Sequence, residues 1–95
     1  NGTEALHMAI RALDIGPGDE VITAGNSFAA TAFAIAHAGA DAVFVDIDPT
    51  DYNIDVGLIE QAITERTKAI IPVHLYGQPA RMREICELAK AYKLK

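Results

Sequence analysis

Ala42-Val43-Phe44-Val45-Asp46-Ile47-Asp48-Pro49-Thr50 is the stretch that decides the fold. Four apolar residues without a polar alternate predict a strand covered on both faces, as in a parallel sheet under helices. Asp48-Pro49-Thr50-Asp51 then turns the chain. Upstream, Ser27 to His37 is small or apolar almost all round, which predicts a buried helix closed by Gly39. Before it, Glu20-Val21-Ile22-Thr23 reads as a short strand. Gly16-Pro17-Gly18 separates that strand from a helix over 3–13 with Leu6, Ala9, Ile10 and Leu13 on one face. Downstream, Asp55 is placed to cap a helix whose Leu58, Ile59, Ala62 and Ile63 face inward. Lys68 to Val73 forms a third strand. Pro79 suits the first turn of a last helix, with Met82, Ile85, Cys86, Ala89 and Tyr92 on one stripe.

The order α-β-α-β-α-β-α with short connections predicts an α/β fold, three layers deep, with a mostly parallel sheet and right-handed crossovers. No internal repeat, low-complexity run or long linker divides the chain. In such sheets ligands bind outside the carboxyl ends of the strands. That rule selects 23–28, 46–48 and 74–78, and it puts Lys68 at the wrong end.

The balance of residues narrows the partners. Across 95 residues, 51% are hydrophobic and 22% charged, the mixture of a soluble domain with a core. A formal charge of −5 and eight scattered basic residues argue against a nucleic-acid surface. Cys86 is the single cysteine, so no internal disulfide forms, and a reducing, cytoplasmic setting is expected. No apolar run reaches membrane-spanning length, and no signal peptide is recognisable at the start. The abrupt start at Asn1 and the stop beside a helical pattern at Lys95 read as an excerpt of a longer protein.

Several residues are chemical candidates. Asn1-Gly2-Thr3-Glu4 opens the first helix, where free N–H groups and the helix dipole suit a phosphate or carboxylate. Gly2 lets an anion approach the backbone and Thr3 adds a hydroxyl; Thr3 could equally be an N-cap with no ligand. Phe28 follows the first strand, where an aromatic ring can stack on a flat heterocycle or simply fill a core. Asp46 and Asp48 could hold Mg²⁺ or serve as nucleophile and acid in a phosphatase, although two turn-forming aspartates before a proline are the plainer reading. His74 and Tyr76 put a titratable ring and a phenol near the same edge. His7 and His37 read as surface residues, and Cys86 reads as core.

Taken together, these segments resemble the cofactor-binding part of the DegT/DnrJ/StrS sugar aminotransferases, among the fold-type-I pyridoxal-phosphate enzymes. The resemblance is carried by Asn-Gly-Thr-Glu-Ala-Leu-His at 1–7, Gly-Pro-Gly-Asp-Glu-Val-Ile at 16–22 and Ser-Phe-Ala-Ala-Thr at 27–31. It continues through Gly39-Ala40, Val-Phe-Val-Asp-Ile-Asp at 43–48, Tyr-Asn-Ile-Asp at 52–55, Thr-Lys-Ala-Ile-Ile-Pro-Val-His-Leu-Tyr-Gly-Gln-Pro-Ala at 67–80 and Leu88-Ala89. It implies that residues 1–95 are a fragment of the pyridoxal-phosphate-binding large domain, incomplete at both ends. Ala24 and Ala42 stand where many relatives carry proline.

The resemblance also implies roles. Gly2 and the backbone at Thr3 and Glu4 would hold the phosphate of pyridoxal 5'-phosphate, and Phe28 would stack on its pyridine ring. Asp46 and Asp48 have no metal role in the family. The Tyr76 loop would lie near the interface of a homodimer. The Schiff-base lysine and the aspartate facing the pyridinium nitrogen would both lie beyond Lys95, so no catalytic residue is expected within 1–95. The whole protein would move an amino group from glutamate or glutamine to a nucleotide-linked keto sugar, in polysaccharide or secondary-metabolite biosynthesis. The rivals are a dehydratase relative with His in place of the lysine, a Mg²⁺ phosphatase using Asp46 and Asp48, and a regulatory relative that binds the cofactor without turnover.

Overall fold

The computed structural model describes residues 1–95 throughout. The elements follow the expected order: α1 (Gly2–Ala12), β1 (Glu20–Ala24), α2 (Ala30–His37), β2 (Asp41–Val45), α3 (Val56–Ala62), β3 (Thr67–Ile71) and α4 (Met82–Ala91), with a short 3-10 turn at Leu75–Gly77 before α4. The strands pair in parallel in the order β2-β1-β3. β1 is therefore the centre, and all of its residues are buried. Period-two alternation sends its side chains to opposite faces. Val21 joins Ile10, Ile15, Ala34 and Ile35 beneath α1 and α2, while Ile22 and Ala24 join Val45, Ile59, Ile70 and Ile85 beneath α3 and α4. Two separate cores on one sheet make the expected three layers. Burying each large aliphatic side chain is worth about 1.5–3 kcal/mol.

β2 follows the sequence reading only in part. Its apolar run implied cover on both faces, and Ala42 does pack on the core beneath α1 and α2 while Val43 and Val45 pack on the other, but Phe44 is 56% exposed. The strand buried along its whole length is β1, whose Glu20 and Thr23 break the apolar pattern. Those polar residues are tolerated because each is satisfied. The Thr23 hydroxyl donates to the Ile71 carbonyl at 2.8 Å, tying β1 to β3. The Glu20 carboxylate accepts from the Thr64 hydroxyl at 2.7 Å and from the Arg66 guanidinium at 2.6 Å. The Thr64 hydrogen bond, with Arg66 beside it, holds the Glu20 carboxyl below the usual carboxylate range. Arg66 also reaches Asp41 at 3.3 Å, so the amino ends of β1 and β2 share one cation.

The helices bury narrower stripes than their sequences suggest. On α1, Ile10 is buried and Leu6 packs beside it, but Ala9 and Leu13 are exposed. On α2, Thr31, Ala34 and Ile35 are buried while Phe33 is exposed, so the helix is covered on one side only. On α4, Ile85, Leu88 and Ala89 face the core; Cys86 is exposed rather than core, and Tyr92 reaches across to Glu60 of α3 at 2.9 Å. Pro79 lies before α4 rather than in its first turn. Asp55 does cap α3, accepting from the N–H groups of Gly57 and Leu58 at 2.8 and 3.3 Å.

Gly39 ends α2 as expected. Its φ of +82° is a conformation that side-chain-bearing residues seldom adopt, and an added Cβ would come within 3.1 Å of the Pro17 ring. After α4 the chain returns to the sheet. Lys95 donates its N–H to the Lys68 carbonyl and accepts from the Ile70 N–H, both at 3.0 Å. One residue bonding to positions two apart on its neighbour is the parallel ladder pattern, so Lys95 lies alongside β3.

Candidate functional site

α1 begins at Gly2 because Asn1 caps it, its side-chain oxygen accepting from the Glu4 N–H at 3.0 Å. Thr3 is thus not the cap; its hydroxyl is free of that duty and lies in the first turn. The N–H groups of Gly2 and Thr3 have no intrahelical acceptor. A Cβ built on Gly2 would meet no protein atom within 4 Å, so its backbone is open to an approaching anion.

β1 hands the chain to Gly25-Asn26-Ser27-Phe28, and α2 starts two residues later. Phe28 is 83% exposed, so it fills no core of this chain. Between the starts of α1 and α2 lies a cavity of about 620 Å³, the single one in the chain. Its lining is Gly2, Thr3, Ala5, Leu6, Phe28, Ala30 and Thr31. The structure therefore brings Gly2 and Thr3 together with Phe28 across the intervening residues 4–27, at the carboxyl edge of the sheet. Glu4 does not join them. It is absent from the lining, and its N–H is already engaged by Asn1. Ala5, Leu6, Ala30 and Thr31 escaped the sequence reading because small and apolar residues carry no chemical signal.

The volume lies within the 300–1,000 Å³ common for ligand sites. One wall offers unpaired N–H groups at a helix start, which suits a phosphate, and the other an exposed aromatic ring, which suits a flat heterocycle.

Asp46, Asp48 and His74, also at the carboxyl edge, are engaged in hydrogen bonds within the chain. Asp48 accepts from the Thr50 N–H at 2.8 Å and from the Thr50 hydroxyl, and Arg81 of the segment before α4 bonds it at 2.9 Å. The Thr50 hydrogen bonds, helped by the Arg81 charge, lower the Asp48 pKa below its ordinary value. Asp46 accepts from the N–H of Ile47 at 2.8 Å. This is the turn chemistry that the Asp-Pro sequence suggested. His74 accepts the Ala80 N–H on Nδ1 at 3.0 Å, so it shapes its loop. Tyr76 is 87% exposed at a φ of 55°. Asn53 was not singled out from sequence, yet it is 2% exposed and joins two loops. Its Nδ2 donates to the Gln78 carbonyl and its Oδ1 accepts from the Leu75 N–H, each at 3.0 Å. No residue cluster of three or more His, Cys, Asp or Glu is arranged as a metal site, and no helix is long and apolar enough to cross a membrane.

Known proteins match this arrangement. The chain is 58% identical over 94 residues to the pleiotropic regulatory protein of Geobacillus stearothermophilus, covering 99% of this chain and 25% of that one. It is 56% identical over 95 residues to the UDP-N-acetyl-3-dehydro-alpha-D-glucosamine 3-aminotransferase of Acidithiobacillus ferrooxidans, covering 100% of this chain and 26% of that one. The crystal structure of NtdA from Bacillus subtilis, with the cofactor PMP bound, superposes with a TM-score of 0.97 at 48% identity, covering 99% of this chain and 22% of that one. The chain thus spans about a quarter of the length of these curated relatives. The sequence profile of the DegT/DnrJ/EryC1/StrS aminotransferase family matches residues 1–95 from end to end, and the chain belongs to that family.

Proposed function

We propose that the protein is a pyridoxal-phosphate-dependent aminotransferase that delivers an amino group to a nucleotide-linked keto sugar, and that residues 1–95 supply part of its cofactor site. The observation that carries this reading is the cavity in which a helix start and an exposed Phe28 face one space. The relatives' names support the substrate class, since they include aminotransferases of UDP- and dTDP-linked sugars. Glutamate or glutamine as donor and a homodimeric assembly follow from the family resemblance, and a cytoplasmic site of action follows from the single cysteine.

Pyridoxal phosphate, when bound, supplies an electron sink for moving the amino group. The residues present fit its parts. Gly2 and Thr3 N–H groups would bind the phosphate, with the Thr3 hydroxyl adding a donor and the α1 dipole favouring the negative charge. Glu4 would add its N–H only after Asn1 gives it up. Phe28 would orient the ring by stacking, and Leu6 and Ala30 would exclude water from its flank.

Absorbance titration of the cofactor into the full-length protein, followed by amino transfer from glutamate to a UDP- or dTDP-linked 3-keto sugar, tests the reading. A cofactor spectrum with turnover supports it, and no cofactor spectrum ends it. A spectrum without turnover on any keto sugar supports a second reading, a cofactor-binding regulator, which the name of the Geobacillus relative favours.

A further inference from the structure

His7 and His37 have no part in the site just described, yet they extend the faces that build it. His7 follows Thr3 by one turn of α1, and His37 follows Ala30 by two turns of α2, so each continues the helix face that lines the cavity. Their rings meet edge to face, with centroids 5.9 Å apart and planes at 77°. Neither ring bonds to protein, in contrast to His74, whose Nδ1 takes the Ala80 N–H.

Two imidazoles on one tetrahedral zinc, with Zn–N of about 2.0–2.1 Å, have ring centroids about 5 Å apart. The observed separation exceeds that by roughly 1 Å, a gap within reach of ring rotation because His37 is exposed at the last turn of α2. Imidazole suits borderline ions such as Zn²⁺, Ni²⁺ and Cu²⁺ over Mg²⁺ or Ca²⁺.

We propose that His7 and His37 form a two-imidazole site for a borderline divalent ion, with water completing its coordination, that clasps α1 to α2. The ion joins the two helices on the same interface whose far end walls the cavity. It binds the folded chain alone, because the two histidines stand 30 positions apart in sequence and meet only when the helices pack. Neither the cofactor nor turnover enters, so the inference stands independently of the aminotransferase reading.

Zinc chloride titrated into the full-length protein, read by calorimetry and by thermal unfolding, tests it. Saturable binding with a rise in Tm is expected. His7→Gln and His37→Gln, which keep a polar side chain of similar bulk, should each abolish both signals, and the double variant should match the single ones. His74→Gln should retain both. No zinc-dependent rise in the parent protein overturns the proposal, and so does a rise that survives in either single variant. Tm values measured without zinc show whether each variant folds. Should a glutamine variant fold poorly, His37→Asn at the exposed helix end provides the same readout.

Discussion

Thr3 lines the cavity and carries two donors, a hydroxyl and an N–H, which a substitution can separate. Thr3→Val keeps the N–H and the shape but removes the hydroxyl. One hydrogen bond to a charged group is worth about 1.5–3 kcal/mol, so cofactor affinity measured by absorbance titration of the full-length protein should fall roughly tenfold to a hundredfold. Phe28 permits a similar separation because it is so exposed in this chain. Phe28→Ala should weaken cofactor binding and shift the spectrum, with Phe28→Tyr mild. Phe33→Ala is the control, since Phe33 lies outside the cavity lining and should alter stability alone. Equal changes in Tm for both variants, with no spectral change for either, would show that Phe28 serves packing only.

Elements are held by a few buried polar atoms whose loss is measurable. Asn53→Leu leaves the Leu75 N–H and the Gln78 carbonyl without their partner, at about 1–3 kcal/mol. Amide exchange over 74–80 should quicken in that variant, and exchange in α1 should not. Asp48→Asn should leave amino transfer nearly unchanged, because its carboxylate serves Thr50 and Arg81. Loss of a Mg²⁺-dependent phosphatase activity instead would revive that rival. These elements also show what the sequence could disclose. Helix and strand identities were legible because apolar periodicity and the Asp55 cap are local signals. Burial was less so: the apolar run of β2 does not disclose that Phe44 stays exposed, because composition cannot say how far the helices extend over a strand. Cys86 read as core because its stripe is apolar, whereas α4 rests on the neighbouring Ile85-Leu88-Ala89 line. Gly2, Thr3 and Phe28 were singled out from the helix start and the family pattern, and the structure places them on one cavity, while Asn53 was hidden because a buried amide tying two loops has no sequence periodicity.

Across the whole molecule, the Glu20 carboxylate at the amino end of the sheet sets a pH limit. Its pKa is lowered on folding, chiefly by Thr64 and then by Arg66. Its contribution to stability is therefore complete above the ordinary glutamate value of about 4.3 and fades as pH falls through the depressed native value. Glu20→Gln should cost about 1–3 kcal/mol near neutrality, and the deficit relative to the parent should shrink in urea melts below about pH 4. An equal deficit at every pH would remove Glu20 from this role. The sheet has a second consequence. With β1 as its centre and a distinct core on each face, Ile35 and Ile59 belong to clusters that meet only through the backbone between them. Ile35→Val and Ile59→Val should each cost about 0.5–1.5 kcal/mol and should add within roughly 0.5 kcal/mol in the double variant. The layer carrying the cavity can accordingly accumulate substitutions that reshape its ligand space while the opposite layer keeps its reserve of stability, so the fold can tolerate new specificities on one side without renegotiating the other.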